Sequence, residues 1–137
     1  MIVLDASIAV KWFLAEPLSG AAASLFVQNR KLLAPSILRN EVTATIAKAA
    51  RLDRVTAEEA HAMIARWVRM LDKHAVSLMD TDEQFDDAVR LCIELRHPFH
   101  DCFYLAIAQK LSLPLATTDK RLSEQAEKIG LELFAIA

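Results

Sequence analysis

The chain contains few of the residues that interrupt or cross-link a fold. Its 137 residues include only 2 Gly and 4 Pro, so we expect neither a flexible linker nor a low-complexity segment. Its 2 cysteines, Cys92 and Cys102, have no neighbour at metal-ligand spacing, which argues against a zinc site and favours reduced thiols. The length suits one domain, and we predict a single domain over residues 1–137.

Long apolar segments and an excess of positive charge are also missing. No apolar segment approaches the roughly 20 residues of a membrane span, and the N-terminus lacks the cationic start of a signal peptide. We therefore expect a cytoplasmic protein without membrane association. The formal net charge of -2 excludes a global basic field, so a nucleic-acid partner would need a local patch or metal ions.

Short apolar runs alternate with helical patterns along the chain. The runs predict strands over residues 2–4, 32–34, 75–79, 113–117 and 131–136. Between them, apolar residues recur at three and four positions, which predicts helices. Thr56 with Glu59 and Thr81 with Gln84 form the capping-box pattern, which predicts the starts of two of these helices. Strands that alternate with helices indicate an α/β fold. Its central sheet is mainly parallel, has four to five short strands, and is covered by helices on both faces.

The first strand ends on a carboxylate. Asp5 follows the apolar run, and Ile8 and Trp12 then mark a helix for which Ser7 is the predicted N-cap. In open α/β sheets, ligands bind at the carboxyl ends of the strands. An Asp between a strand and a helix is often only a helix cap. An ionised carboxylate among apolar residues, however, needs a compensating partner.

Three other acids have comparable positions. Glu41 lies at the edge of an apolar stripe on the helix that follows Pro35, Asp101 begins a helix, and Asp119 follows the fourth strand. Two like charges about 4 Å apart repel by roughly 4 kcal/mol at an effective dielectric near 20, so a cluster of four acids needs protons or divalent cations. All-oxygen ligands favour Mg²⁺ or Mn²⁺, and such ions suit phosphodiester hydrolysis through a metal-bound water.

Four stretches around these acids form a recognisable pattern. They are VLDASIAVKWFL at the start, NEV around Glu41, HDCFYLAIA around Asp101 and TTDKRL around Asp119. In order and spacing they resemble the PIN-domain nucleases, and most closely the VapC-type ribonuclease toxins of bacterial and archaeal toxin–antitoxin pairs. The resemblance covers essentially the whole chain.

The resemblance implies a three-layer α/β/α PIN fold and endonucleolytic cleavage of RNA. The family's acidic quartet, which holds one or two Mg²⁺ or Mn²⁺ ions, matches Asp5, Glu41, Asp101 and Asp119. Two hydroxyl residues that support the acids match Ser7 and Thr117. The resemblance also implies a homodimer and an antitoxin partner whose tail covers the site.

Residues near the acids in sequence are weaker candidates. Four side chains that can carry positive charge are candidates for contacts with RNA phosphates, although exposed surface positions are commoner for such residues: Lys11, Arg39, His97 and His100. Trp12 and Phe13 are candidates for contact with a partner, although core packing is the favoured interpretation of both.

Three alternative functions stay open at this point. A phosphohydrolase could form an aspartyl-phosphate on Asp5, but such enzymes commonly carry a second Asp where this chain has Ser7. A receiver-type phosphorylation module would use a pair of acids after its first strand, and this chain offers Asp5 alone. A catalytically silent PIN-fold binding protein is the non-enzymatic alternative, which an intact acidic quartet argues against.

Overall fold

The computed structural model of the chain describes residues 1–28 and 30–136. In that part of the chain there are four strands, namely β1 Ile2–Leu4, β2 Leu32–Pro35, β3 Ser77–Met79 and β4 Leu115–Ala116. The seven α-helices of these residues are α1 Ala6–Ala9, α2 Ser19–Val27, α3 Leu38–Arg51, α4 Ala57–Asp72, α5 Phe85–Leu95, α6 Phe99–Leu111 and α7 Lys120–Lys128. Short 3₁₀ helices cover Val10–Trp12 and Thr81–Gln84.

The four strands form one parallel sheet in the order β3-β2-β1-β4. Val3 of β1 pairs with Leu33 of β2 on one side and with Leu115 of β4 on the other. All three residues of β1 are fully buried, as expected for a strand that is covered on both faces. The predicted α/β fold with a central parallel sheet flanked by helices is thus confirmed.

Helix α6 is the most deeply buried helix of the fold. All seven residues of 102–108 are buried, and the helix contacts β1, β2 and β4 as well as α5. A helix that is apolar on all sides belongs in a protein interior. On α3, a single apolar stripe is buried instead, and this helix packs against α1 and α4. The position of any side chain on α6 is therefore determined by close packing.

The predicted fifth strand over residues 131–136 is wrong. This segment makes a single parallel bridge, between Leu115 and Leu133, because β4 is only two residues long and offers few groups for pairing. The third and fourth predicted strands exist but are shorter than expected. The two cysteines form no disulfide, and Cys102 is buried while Cys92 is half-buried. No helix of residues 1–28 and 30–136 is long and apolar enough to span a membrane.

Two of the predicted helix starts are corrected by the structure. Asp5, and not Ser7, is the N-cap of α1, because Asp5 has an extended backbone and its carboxylate accepts a hydrogen bond from the Ser7 N–H. Directly before α5, Asp80 caps the 3₁₀ helix Thr81–Gln84, and its carboxylate accepts a hydrogen bond from the Asp82 N–H. The expected capping box of Thr81 with Gln84 therefore does not form.

The other predicted starts agree more closely with the structure. The capping box of α4 is present, because Thr56 and Glu59 each accept a hydrogen bond from the other's backbone N–H. Helix α6 begins two residues before Asp101, which lies in its first turn and not at its first residue.

Helix α7 is terminated by Gly130, which lies two residues after the helix and has a backbone conformation that residues with a Cβ rarely adopt. Gly130 has a φ of 77°, and its N–H donates to the Glu127 carbonyl while the Leu131 N–H donates to the Ala126 carbonyl. These two bonds define a Schellman motif, which satisfies the last carbonyls of the helix. Gly20 lies inside α2 and has a negative φ, so the chain's only 2 glycines stand in opposite backbone environments.

The two glycines predict opposite effects of the same substitution. Gly130→Ala should lower the free energy of unfolding by about 1 kcal/mol, because a left-handed backbone costs a residue with a Cβ roughly 1–2 kcal/mol. Gly20→Ala should leave it unchanged or raise it, because alanine favours the helix. Neither added Cβ would meet an atom within 4 Å, so clashes do not enter the comparison. Urea denaturation of both variants checks this, and equal effects would contradict it.

Candidate active site

The strand order creates a topological switch point between β1 and β4. The chain proceeds outward from β1 to β2 and β3, and then returns to the opposite side of β1 to form β4. The carboxyl ends of β1 and β4 therefore border a topological switch point, which is where open α/β sheets bind ligands. Asp5 directly follows β1, and Thr117 and Asp119 follow β4. The sequence placed these residues at strand ends, and the strand order makes the two strands neighbours.

Asp5 is a buried carboxylate that is held from two sides. Only 6% of the residue is exposed. Its Oδ2 accepts a hydrogen bond of 2.8 Å from the Thr117 hydroxyl and one of 3.3 Å from the Ser7 N–H. Burial raises the pKa of Asp5, and the negative charge of Asp101 raises it further, while the hydrogen bonds from Ser7 and Thr117 oppose the shift. Charge on Asp5 is therefore disfavoured unless a cation approaches.

Ser7 and Thr117 form a hydroxyl network that connects the ends of β1 and β4. The Ser7 and Thr117 oxygens are 3.2 Å apart. Because the Thr117 hydroxyl donates to Asp5, the Ser7 hydroxyl is the donor in this pair. Thr117 also accepts from the Asp119 N–H at 3.0 Å, and Ser7 accepts from the Thr118 N–H at 2.9 Å. The two predicted supporting residues thus orient both the Asp5 carboxylate and the backbone at Asp119.

Glu41 lies half-buried on the first turn of α3, facing the same edge of the sheet. Its Oε1 accepts a 2.6 Å hydrogen bond from the hydroxyl of Tyr104, which is fully buried on α6. Burial raises the pKa of Glu41, and the charges of Asp5 and Asp101 add to that effect, whereas Tyr104 and His100 oppose it. Tyr104 was not among the residues predicted from the sequence, although it lies one helical turn after Asp101 within the HDCFYLAIA stretch.

Asp101 lies in the first turn of α6, with 25% of its side chain exposed. Its Oδ2 lies 2.8 Å from Nε2 of His97. His97 itself is buried, with 4% of the residue exposed. The exposed surface position that was the commoner expectation for His97 is therefore wrong, because the fold turns this imidazole inward against Asp101.

Asp119 occupies a different environment from the other three acids. It is the N-cap of α7, and its Oδ1 accepts a hydrogen bond of 3.1 Å from the Leu122 N–H. The charges that raise the pKa values of Asp5 and Glu41 include Asp101 but not Asp119. The structure thus brings Asp5, Glu41 and Asp101 into one electrostatic group. Asp119 is connected to this group by Thr117, which accepts a hydrogen bond from the Asp119 N–H and donates one to Asp5.

The chemistry of these acids fits a hard divalent cation. They offer only carboxylate oxygens, and burial together with mutual repulsion raises the pKa values of Asp5 and Glu41. Within residues 1–28 and 30–136, no three His, Cys, Asp or Glu side chains are close enough to form a closed metal-binding group. Mg²⁺ commonly takes only one or two protein carboxylates and completes its shell with water and phosphate oxygens, so an open arrangement suits it.

The other residues that the sequence suggested for contact with RNA or a partner lie in different surroundings from one another. The Lys11 ammonium forms a 3.1 Å ion pair with Glu16, whereas Arg39 is exposed. His100 is also exposed, and with Glu41 it lines a cavity of about 270 Å³. The first helical region packs inward as expected, with the rings of Trp12 and Phe13 centred 6.2 and 5.8 Å from the ring of Trp67.

Comparison with known proteins decides the family. The family model for the PIN domain matches residues 2–128. The chain belongs to the PIN domain family. A sequence search of curated proteins finds no significant match. The sequence resemblance to PIN-domain proteins and the predicted PIN-like fold are therefore confirmed.

Solved structures agree with the PIN assignment at the level of the fold. VapC20 from Mycobacterium tuberculosis, a toxin that cleaves the sarcin–ricin loop, is 16% identical and has a TM-score of 0.67, with 90% of this chain and 94% of that chain covered. FitAcB from Neisseria gonorrhoeae is 16% identical, with a TM-score of 0.73 and coverage of 99% and 98%. PAE2754 from Pyrobaculum aerophilum is 24% identical, with a TM-score of 0.66 and coverage of 93% and 90%.

The hydrogen bond between Tyr104 and Glu41 predicts that removal of the Tyr104 hydroxyl changes both the pKa of Glu41 and the stability of the protein. Tyr104→Phe should raise the pKa of Glu41 further, because the hydroxyl donor that favours the charged carboxylate is lost. It should also lower the free energy of unfolding by about 1.5–3 kcal/mol, the range for a hydrogen bond to a charged group. Carbon-13 NMR titration of the Glu41 carboxyl and urea denaturation measure the two effects.

The control for this prediction is a double-mutant cycle. Tyr104→Phe should cost less in a Glu41→Gln background than in the wild type, since the hydrogen bond is then made to a neutral amide. An equal cost in both backgrounds would contradict the assignment of the effect to this hydrogen bond.

The raised pKa of Asp5 predicts how stability depends on pH. The folded metal-free protein holds a proton on Asp5 more tightly than the unfolded chain does, so this group's contribution becomes less favourable as pH rises from about the ordinary value of 3.8 through the folded pKa. Asp5→Asn removes the charge, and the variant should become increasingly more stable than wild type as pH rises. At pH 7.5 we expect a Tm gain of a few degrees, since 1 kcal/mol shifts the Tm of such a domain by roughly 3–6 °C.

Thermal unfolding in chelator from pH 4 to 8 measures the difference in Tm between Asp5→Asn and wild type. The exposed Asp72, at the end of α4, provides the control Asp72→Asn, whose difference from wild type should not grow with pH. Parallel curves for Asp5→Asn and wild type would show that Asp5 has no raised pKa.

Proposed function

We propose that the chain is a Mg²⁺- or Mn²⁺-dependent endoribonuclease that acts as the toxin of a toxin–antitoxin pair. One observation carries the proposal. Asp5, Glu41 and Asp101 come from three distant parts of the sequence and form one electrostatic group at the switch point of the sheet. Members of the PIN family are nucleases and generally depend on divalent metal ions, which is the chemistry that this group suits.

The proposed roles follow from the contacts of each residue. Asp5, Glu41, Asp101 and Asp119 are the acids that would hold the cation. When bound, a divalent cation supplies positive charge for phosphate oxygens and makes water a better nucleophile. Thr117 and Ser7 hold the Asp5 carboxylate at the carboxyl end of β1, and the Tyr104 hydroxyl holds the carboxylate of Glu41.

RNA is the proposed substrate because of the family and one solved relative. VapC20 cleaves the sarcin–ricin loop and shares the fold of this chain. With a net charge of -2, the protein lacks a general attraction for nucleic acid, so a cation at the acids would provide local positive charge for the phosphates. We therefore propose cleavage at a defined site in a structured RNA.

The alternative functions are less well supported. The two alternatives that phosphorylate Asp5 require other folds, and Asp5 is buried with Oδ2 already accepting two hydrogen bonds. A catalytically silent PIN-fold binding protein is compatible with the family match. That alternative gives no reason for three repelling acids at the switch point, and the cleavage experiment distinguishes it from a nuclease.

Asp101→Asn tests the proposed function. We expect wild type to cleave a panel of end-labelled structured RNAs, including a sarcin–ricin-loop RNA, in Mg²⁺ or Mn²⁺ but not in chelator. Asp101→Asn should reduce cleavage at least about 100-fold, which corresponds to roughly 2.7 kcal/mol of transition-state stabilisation. Its metal-free stability should be unchanged or higher, because repulsion with Asp5 and Glu41 is relieved.

Asp72→Asn is the matched control, since Asp72 lies on α4 just before the chain enters β3, away from the carboxyl edge of the sheet. It should cleave as wild type does. Equal cleavage by wild type and Asp101→Asn would reveal contamination. If no RNA is cut and Mn²⁺ leaves the wild-type Tm unchanged, the nuclease proposal fails.

The remaining proposals concern partners. VapC20 is a toxin by name, and on this likeness we propose an antitoxin that covers the active site, together with a homodimer in the cytoplasm. Sedimentation of the purified protein measures the dimer, and co-purification with the product of an adjacent small reading frame tests the antitoxin.

A further inference from the structure

His97 is a buried imidazole for which neither the family match nor the acidic quartet accounts. It lies in the short connection between α5 and α6, directly after Arg96, whose backbone is left-handed with a φ of 53°. This sharp end to α5 turns the His97 side chain inward, where only 2% of it is exposed. Its Nε2 lies 2.8 Å from Asp101 Oδ2, one helical turn further along the chain.

The surroundings of His97 define the direction of this hydrogen bond. A carboxylate only accepts hydrogen bonds, so Nε2 carries the proton and donates to Asp101. The other ring nitrogen, Nδ1, is buried and has no hydrogen-bond partner among the described residues. The one polar contact of this side chain is therefore directed at Asp101. An apolar residue would fill such a position without leaving a buried nitrogen unpaired, so stability alone does not explain a histidine here.

Asp101 needs such a donor because of its neighbours. The negative charge of Asp101 contributes to the raised pKa values of both Asp5 and Glu41, which shows that the three carboxylates repel one another. Asp101 is partly exposed, so rotation of its side chain toward water would relieve that repulsion. The hydrogen bond from His97 opposes this rotation.

We propose that His97 is a positioning residue that holds the Asp101 carboxylate in the active site before a cation or RNA binds. Oδ2 is engaged by His97, so the carboxylate is held where it can help to hold the cation. This inference rests on the proposed function, in which Asp101 helps to hold the cation. Residues that orient metal-binding carboxylates typically change metal affinity by about 10–100-fold when they are replaced.

Two substitutions of His97 separate positioning from packing. The side-chain amide of His97→Gln reaches about as far as Nε2 and can still donate to Asp101. The shorter amide of His97→Asn lies near the Nδ1 position and cannot reach. We expect His97→Asn to weaken Mn²⁺ binding by at least about 10-fold, measured by electron paramagnetic resonance of the free ion, and to lower kcat for RNA cleavage more than it changes KM. His97→Gln should restore both to within about threefold of wild type.

A purely structural role would give a different result. If His97→Gln and His97→Asn weaken Mn²⁺ binding equally, or if His97→Asn folds and binds Mn²⁺ as wild type does, the proposal is overturned. Thermal unfolding in chelator reports the packing cost of each variant separately.

A measurement on the unmutated side chain keeps the proposal testable if His97→Asn does not fold. Nitrogen-15 NMR of the imidazole in metal-free wild type should show a proton on Nε2, and this resonance should shift in Asp101→Asn. A proton on Nδ1 alone would overturn the proposal whatever the variants do.

The same experiments distinguish failure of this inference from failure of the proposed function. Metal-dependent RNA cleavage that is lost in Asp101→Asn but unaffected in His97→Asn would overturn only the positioning role. If wild type neither binds Mn²⁺ nor cleaves RNA, the proposed function fails, and the inference that depends on it fails too.

Discussion

The buried carboxylate of Asp5 is the constraint on which the rest of the site depends. Strand β1 is buried on both faces, so the residue that follows it remains in the interior, with 6% of its surface exposed. Its Oδ2 is held by the Thr117 hydroxyl, which comes from the end of β4. This hydrogen bond joins the two strands that border the switch point of the sheet, so the position of the acid and the arrangement of the strands depend on each other.

Each acid of the site has its own hydrogen-bond donor. Asp5 accepts from the Thr117 hydroxyl, Glu41 from the Tyr104 hydroxyl and Asp101 from the His97 imidazole, while Asp119 caps α7. Individual donors keep repelling carboxylates in place without cancelling their charge. A bound cation would offset the burial and the mutual repulsion that disfavour charge on Asp5 and Glu41.

The packing of α6 makes this arrangement rigid. The helix is apolar on nearly all sides and touches three strands, so it cannot rotate without disturbing the core. It carries Asp101 in its first turn and Tyr104 one turn later, and the latter reaches Glu41 on α3. Sites built on such packed elements hold their geometry more precisely than sites on loops. A cation would then bind to acids whose positions change little on binding.

The strength of each sequence pattern determined how well the fold could be predicted. Apolar runs followed by an Asp located β1 and β4, and the pairing of Thr56 with Glu59 located the start of α4, because these patterns depend on neighbouring residues. The fifth strand was predicted wrongly, since an apolar run forms a strand only where a neighbour offers enough backbone to pair with, and β4 is two residues long. By itself, the sequence determined the α/β class, the choice of Asp5, Glu41, Asp101 and Asp119 as candidate acids, and the resemblance to PIN-domain nucleases. Only the tertiary structure decided that β4 lies beside β1, that Asp101 acts electrostatically on Asp5 and Glu41, and that His97 and Tyr104 are buried donors. These contacts, such as the one between Glu41 and Tyr104, join residues far apart in the chain, so no local pattern encodes them.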